Sequence, residues 1–176
     1  MHLLAISGSL RHDASNTVLL QAAVLLAPSH VHIELYDRLG ALPHFNPDLD
    51  TPDGASLPAI VTDLRSRVRH ADGVIISCPE YAHGIPGSFK NLLDWLVGST
   101  EFPDKPVALL NTSPMSVHAP AQLTEVLRTM NARLIPEASV TISVGHQRDA
   151  AAVIADPDLS AQLRTAIHTF ARAIGT

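Results

Sequence analysis

The chain has 176 residues, of which 46% are hydrophobic and 16% charged, a balance typical of a globular domain that excludes a disordered segment. The formal net charge of -5 gives no basic footprint for nucleic acid, and no apolar run approaches the roughly 20 residues that cross a bilayer. The single cysteine, Cys78, excludes an internal disulfide, and no charged leader precedes the first apolar run, so we expect one cytoplasmic domain over residues 1–176.

Strand and helix patterns alternate along the chain. Short apolar or alternating runs predict strands at residues 3–6, 30–35, 73–77, 106–111 and 138–144. Longer runs bounded by Pro, Ser or Gly predict helices at residues 18–27, 58–70, 86–97, 120–132 and 160–174. The segment 36–57 is interrupted by several prolines, including Pro52, and predicts irregular structure. Ser160 is expected to cap the last helix and Gly175 to end it.

Five strands joined by helical crossovers predict an α/β fold, in which a parallel sheet is covered by helices on both faces. Ligands of such sheets bind outside the carboxyl ends of the strands. Three polar loops follow strands and are therefore expected to meet at one edge of the sheet, namely residues 7–17, 78–87 and 111–119.

The loop after the first strand has the composition of an anion site. It places Gly8, Arg11, Ser15 and Asn16 just before an apolar helix, whose first turn has unpaired N–H groups and a partial positive charge. Side-chain donors and a guanidinium group suit a phosphate monoester, and Gly8 would let the backbone approach it. The loop lacks the motifs of a P-loop and of a dinucleotide site. Alternatively, Ser15 or Asn16 caps an ordinary turn that binds nothing.

The loop after the third strand offers a rim for a planar ring. Tyr81 supplies a flat aromatic side chain, and closely spaced main-chain donors surround Gly84. Such a rim could hold the edge of a heterocycle through backbone groups. The alternative is a Pro/Gly turn that leads into a helix with Trp95 in the core.

Two motifs in this order resemble the NADPH-dependent FMN reductase family, which includes bacterial chromate and quinone reductases. The first is Gly8-Ser9-Leu10-Arg11 with Ser15-Asn16, and the second is Pro79-Glu80-Tyr81 followed by Ile85-Pro86-Gly87-Ser88-Phe89-Lys90-Asn91-Leu92-Leu93-Asp94-Trp95. Residues 42–48 are also similar to the family's loop after the second strand, and the resemblance runs from residue 3 to about 145. It implies a flavodoxin-like three-layer sandwich with a five-stranded parallel sheet in the order 2-1-3-4-5.

The resemblance also implies a set of FMN-binding residues. The phosphate would be held by Ser9, Arg11, Ser15, Asn16 and Thr17. The isoalloxazine ring would be lined by Pro79, Glu80, Tyr81, Ala82, His83 and Gly84, with a further contact from Ser113. Asn91 and Asp94 would hold the loop after the third strand in shape.

The chain departs from the family pattern in two places. Ala14 stands where the family usually has serine, so that one phosphate donor is either absent or supplied by Ser15. The loop 111–119 lacks the glycines that the family commonly has there, which affects the pocket over the ring and thus the substrate.

The activity that the resemblance implies is that of an FMN-dependent NAD(P)H oxidoreductase. NADPH or NADH would reduce the flavin at N5, and a quinone, chromate, azo or free flavin acceptor would reoxidise it by a ping-pong mechanism. An electron-carrier flavodoxin without direct use of NADPH is the alternative, and a non-catalytic binding module is the third reading. The family is usually dimeric or tetrameric, so we expect a homodimer or homotetramer joined through residues 42–50 and 88–97.

The sequence predicts no catalytic side chain, no redox thiol and no metal site. Hydride transfer needs no side-chain acid or base, so no catalytic side chain is predicted. Cys78 is expected to be a small packed residue and not a redox thiol. The ten histidines show no zincin or zinc-finger spacing, and no metal site is predicted. His83 and His118 differ from the others because both fall in loops at the ligand edge. There they could contact the nicotinamide phosphate or an acidic substrate, and the alternative is that they only occupy the rim.

Overall fold

A computed structural model describes residues 1–51, 54–145 and 149–175. The strands are β1 (His2–Ser7), β2 (His32–Tyr36), β3 (Gly73–Ser77), β4 (Pro106–Asn111), β5 (Arg133–Leu134) and β6 (Val140–Thr141). The α-helices are α1 (Ser15–Leu26), α2 (Ala59–His70), α3 (Gly87–Val97), α4 (His118–Thr129), α5 (Ala150–Ala155) and α6 (Pro157–Gly175). The predicted irregular segment contains two short 3-10 turns, Leu39–Ala41 and Pro47–Leu49, and its residues 52–53 lie outside the described ranges.

The sheet has the predicted parallel order β2-β1-β3-β4-β5, which confirms the flavodoxin-like α/β fold. In the register, Ile6 lies between Tyr36 of β2 and Ile76 of β3. One hydrophobic cluster packs α1 and α6 against one face, and a second packs α2, α3 and α4 against the other. Because both faces are covered, β1 and β3 are continuous apolar runs and not alternating ones.

The fifth strand is broken, which corrects the single strand predicted at 138–144. The break is a 3-10 turn, Pro136–Ala138, between β5 and β6, both of which pair with β4. Proline has no N–H to donate to the ladder. The Ser139 hydroxyl bridges the break, because its Oγ accepts the N–H of Leu109 and donates to Ile135 O, both at 3.0 Å. A side chain thus replaces one backbone partner at the sheet edge.

The last helix begins earlier than predicted, because its capping residue is Asp156 and not Ser160. Asp156 accepts the N–H groups of Asp158 and Leu159, so α6 begins at Pro157 and Ser160 lies within it. The short helix α5 was not predicted, and Asp149 caps it by accepting the N–H of Ala152. Aspartate at both positions satisfies amides of the first helical turn, which have no acceptor within their own helix.

Candidate functional site

The carboxyl ends of β1, β3 and β4 bring the three predicted loops to one edge of the sheet. Gly8 N–H donates to Ser77 O at 2.8 Å, which holds the first loop beside the end of β3. A Cβ at Gly8 would lie 2.7 Å from Cys78 Sγ. Glycine is therefore required here by packing between neighbouring strand ends, a reason that the sequence did not reveal.

Cys78 is a buried, free thiol, as predicted for a packed residue. Burial raises its pKa to about 12, so that the thiol is protonated at pH 8. We expect the native protein to resist an aromatic disulfide reagent at pH 8 and the urea-unfolded protein to react at once. Stoichiometric labelling of the native protein within seconds would contradict this.

The first turn of α1 has no side-chain cap. Its N-cap is Ala14, which makes no capping hydrogen bond, and the first helical bond runs from Val18 N–H to Ala14 O at 2.9 Å. The alternative prediction that Ser15 or Asn16 caps this turn is therefore wrong, because both residues lie inside the helix. Ala14, which departs from the family pattern, thus leaves the amides of this turn without a capping side chain. Unpaired amides at a helix start are free to donate hydrogen bonds to an anion.

Three predicted phosphate residues surround this turn with different exposure. Ser9 is buried, and its Oγ accepts the N–H of Arg11 at 3.2 Å. The Arg11 side chain is 62% exposed and lies with Nε 3.1 Å from Asp13 Oδ1. Thr17 Oγ1 is 2.9 Å from Ser7 Oγ. The guanidinium is thus held near the turn by an exposed ion pair, while the Thr17 hydroxyl is fixed by Ser7 at the end of β1 and the Ser9 hydroxyl by the amide of Arg11.

Asn16 points into the sheet, away from the open end of the turn. It is buried, and its Nδ2 donates to Ser77 Oγ at 3.0 Å. Ser77 in turn donates to Leu110 O at 2.7 Å. This chain of hydrogen bonds links α1, β3 and β4 and fixes the direction in which the first turn of α1 points.

A cleft opens beside the first loop on the side of β2. It has a volume of about 460 Å³, within the range of roughly 300–1,000 Å³ usual for ligand sites. Its walls come from the first loop and α1, including Ser9, Arg11 and Thr17, and from the end of β2, including Tyr36 and Asp37. The first loop is therefore reachable from open space.

The loop after β3 forms a tight hairpin. Tyr81 and Gly84 exchange both backbone hydrogen bonds, at 3.0 and 3.1 Å. The two central residues, Ala82 and His83, have φ values of 50° and 61°, in the left-handed region that costs energy for residues with a Cβ. Positive φ at both positions is the requirement of a type I′ turn, which glycine and asparagine usually occupy. The predicted ring-binding residues thus include a strained two-residue turn.

Glu80 caps α4, a contact that was not predicted from the sequence. Its Oε2 accepts the N–H groups of His118 and Ala119 at 2.8 and 2.9 Å. Gln122 adds a second tie, since its Oε1 accepts the N–H of Ile85 at 2.9 Å. The signal that could have indicated this is Val117, which precedes α4 and has no side chain that can cap it, so that the first amides of α4 are open to a distant acceptor. The loops after β3 and β4 are thereby joined.

This cap predicts that Glu80 contributes to stability in a pH-dependent way. The amide of Ala119, and then that of His118, hold the pKa of Glu80 below its ordinary value of 4.5. A depressed pKa stabilises the fold above the ordinary value, and this stabilisation is lost as the pH falls through the folded-state pKa. We expect Glu80→Gln to be less stable than the wild type at pH 7 and equally stable at about pH 2. Urea unfolding at both pH values measures this, and a pH-independent difference would contradict it.

The loop after β4 is ordered by Asn111 without any glycine. Asn111 Nδ2 donates to the carbonyls of Ser113 and Ser116 at 2.7 and 3.2 Å, and its Oδ1 accepts the N–H of Ser113. The Ser113 hydroxyl accepts the N–H of Met115 at 3.2 Å. Met115 itself is 84% exposed. The glycine-poor loop therefore has a defined shape with an apolar tip.

Asn91 holds a different loop from the one expected. Its Oδ1 accepts the N–H of Phe45 at 2.7 Å, and its Nδ2 donates to Pro43 O at 2.9 Å. Asp94 pairs with Lys90 one turn away on α3. The expectation that Asn91 and Asp94 shape the loop after β3 is corrected, because Asn91 fixes the segment after β2 to α3.

Comparison with known proteins settles the family. A family model described as NADPH-dependent FMN reductase matches residues 1–147. This chain belongs to that family. The resemblance inferred from the two motifs is thereby confirmed, and the family is one of oxidoreductases that use FMN and NAD(P)H.

Curated relatives of this chain include a quinone reductase of Escherichia coli (strain K12), 32% identical over 66% of this chain and 62% of the relative. An NAD(P)H-dependent FMN reductase of Pseudomonas aeruginosa is 37% identical over 63% of this chain and 59% of the relative. The matched part thus spans about three fifths of these relatives. Among solved structures, the flavoenzyme NAD(P)H:(acceptor) oxidoreductase FerB of Paracoccus denitrificans has a TM-score of 0.82 and 27% identity, covering 99% of this chain and 97% of its own.

Proposed function

We propose that this chain is an FMN-dependent NAD(P)H oxidoreductase that delivers electrons to a small acceptor of the quinone type. The observation that carries the proposal is the uncapped first turn of α1 beside Arg11, at the same sheet edge as the strained hairpin 81–84. Family membership supports FMN as the ligand of these two features. A bound flavin would supply hydride acceptance and electron transfer, while the protein supplies binding and orientation.

We assign the FMN phosphate to the first turn of α1. Uncapped amides and the partial positive charge of the helix favour an anion there. Ser9, Ser15 and Thr17 add hydroxyl groups, and the guanidinium of Arg11 adds a charge-assisted donor. Asn16 acts as a positioning residue in this assignment, because its hydrogen bond to Ser77 fixes the turn. The donors are one guanidinium cation and several neutral groups, a combination that suits a phosphate monoester.

We assign the isoalloxazine ring to the segment from Pro79 to Gly84. In the hairpin, the backbone bonds between Tyr81 and Gly84 leave the amides of Ala82 and His83 outside the ladder. Such amides would be able to donate hydrogen bonds to the pyrimidine edge of a bound flavin and to stabilise negative charge there. The cap formed by Glu80 fixes this segment to α4, and Ser113 lies on the adjoining loop. Preorganised donors of this kind need not reorient during the reaction.

The donor and the acceptor are proposed to take turns over one face of the ring. The exposed side chains of Tyr81 (57%), Met115 (84%) and Val117 (59%) lie on the two loops at this edge and offer an apolar rim to a planar acceptor. Alternate use of one face gives ping-pong kinetics. Initial rates of NADPH oxidation at several concentrations of a benzoquinone, with FMN present, test this. Parallel double-reciprocal lines are expected, and intersecting lines would overturn the shared face.

We further propose a homodimer or homotetramer joined through residues 42–50 and 88–97. The segment after β2 is fixed to α3 by Asn91, so the two stretches form one continuous surface. Val97, at the end of α3, is 52% exposed. Within the described part of the chain, no helix has the length and apolarity to cross a membrane. Light scattering coupled to size-exclusion chromatography tests the assembly, and a monomer at micromolar concentration would overturn it.

A further inference from the structure

Three metal-ligating side chains converge at the rim of the hairpin. Glu80, His83 and His118 each place a possible ligand atom so that the three atoms lie within 4.8 Å of one another. His118 is 35 positions after His83, a separation that matches no metal-binding spacing, which is why the sequence predicts no site. The fold brings them together because the loops after β3 and β4 end at the same edge of the sheet.

The backbone positions of these residues are fixed by the hairpin and by the start of α4. The left-handed turn presents His83, whose φ is 61°, and His118 is the first residue of α4. The two imidazole rings stack with centroids 4.3 Å apart and an interplanar angle of 28°. Both amide donors bind Oε2 of Glu80, and among the described residues no hydrogen bond is made to its Oε1. One carboxylate oxygen thus remains available beside two imidazoles.

We propose that Glu80, His83 and His118 form a site for a divalent transition-metal ion of the Zn²⁺, Ni²⁺ or Cu²⁺ class. Two imidazole nitrogens and one carboxylate oxygen suit these ions, whereas Mg²⁺ and Ca²⁺ prefer oxygen ligands. Three protein ligands leave at least one coordination position for water or for an oxygen of another molecule. The site does not depend on bound FMN, since all three ligands come from the protein.

Coordination requires only local adjustment. Bonds of about 2.1 Å in a tetrahedral arrangement place ligand atoms about 3.4 Å apart, so the present spread within 4.8 Å must contract slightly. The ring stack must also open, because each imidazole binds an ion that lies in its own plane. Both histidines are exposed, which leaves their side chains room to turn.

Calorimetric titration of the tag-free protein with Zn²⁺, without FMN, tests the proposal. One ion per chain is expected at this site, and three variants should each weaken its binding at least tenfold: His83→Asn, His118→Gln and Glu80→Gln. Asparagine tolerates positive φ, so His83→Asn retains the turn while it removes the imidazole. In Glu80→Gln, the amide oxygen of the new side chain can still accept the two α4 amides. Unchanged Zn²⁺ affinity in all three variants would overturn the site.

A second pair of stacked histidines provides the matched control. His2 and His32 lie at the amino end of the sheet, with ring centroids 5.4 Å apart and His2 Nε2 3.0 Å from Glu34. His32→Asn should leave the high-affinity Zn²⁺ binding unchanged within about twofold. Electron paramagnetic resonance of one equivalent of Cu²⁺ should show two nitrogen ligands in the wild type and one in His83→Asn. A wild-type spectrum that His32→Asn changes, and His83→Asn does not, would place the ion at the other pair and overturn the proposal.

Discussion

Replacing Arg11 with alanine is expected to weaken FMN binding by about ten- to a hundredfold. A hydrogen bond to a charged group contributes about 1.5–3 kcal/mol, and each 1.4 kcal/mol corresponds to a factor of about ten in Kd. Because the Arg11 side chain is largely exposed and its ion pair with Asp13 is a surface one, its loss should hardly affect the free energy of unfolding. Quenching of flavin fluorescence on binding measures the Kd.

Two further variants separate a local contact from a change in net charge. Arg172→Ala removes the same charge from the exposed last turn of α6, far from the candidate site, and should leave the FMN affinity unchanged. Arg11→Lys keeps the charge but loses the fork of donors, so its Kd should lie between those of the wild type and Arg11→Ala. Equal FMN affinity of the wild type and Arg11→Ala would show that the phosphate binds elsewhere.

Replacing Trp95 with alanine is expected to destabilise the fold by about 3–5 kcal/mol, the usual cost of removing a buried large aromatic side chain. Trp95 is fully buried, donates from Nε1 to Pro43 O at 2.8 Å, and packs edge-to-face on Phe45 with centroids 5.0 Å apart. The substitution leaves a cavity and removes one donor from the Pro43 carbonyl, under the segment after β2. Since Trp95 is the only tryptophan, circular dichroism during urea unfolding is the suitable measurement.

Trp95→Phe provides the graded control. Phenylalanine keeps most of the apolar volume and loses the indole N–H, so its cost should be about 1–3 kcal/mol, that of one lost buried hydrogen bond and a smaller cavity. If both variants unfold at the wild-type urea concentration, the packing of the segment 43–45 against α3 does not stabilise the fold as described.

The central strands could be predicted from sequence because their signal is local. Residues 73–77 and 106–111 are apolar runs that begin and end where β3 and β4 do, since both faces of these strands are buried. The fifth strand could not be predicted in the same way. Its break depends on Ser139 replacing a backbone partner of Leu109, a contact between residues 30 positions apart.

The candidate site, like the sheet, could be predicted only where its signal is local in sequence. The clustering of donors in residues 9–17 indicated the anion-binding turn, because the composition of a helix start is a local property. The roles of Asn16, Glu80 and Asn91 depend on partners 61, 38 and 46 positions away, which no spacing along the chain reveals. These missed contacts are therefore side-chain bonds between elements that are distant in sequence and that only the fold brings together.

The most direct test of the proposed function is the visible spectrum of the purified protein with FMN, recorded before and after anaerobic addition of NADPH. We expect NADPH to bleach the absorption band of the protein-bound flavin within the mixing time of a reductase assay. A band that persists would contradict direct use of NADPH and favour an electron carrier that needs a separate reductase. Failure of FMN to bind at all would contradict both the phosphate and the ring assignments.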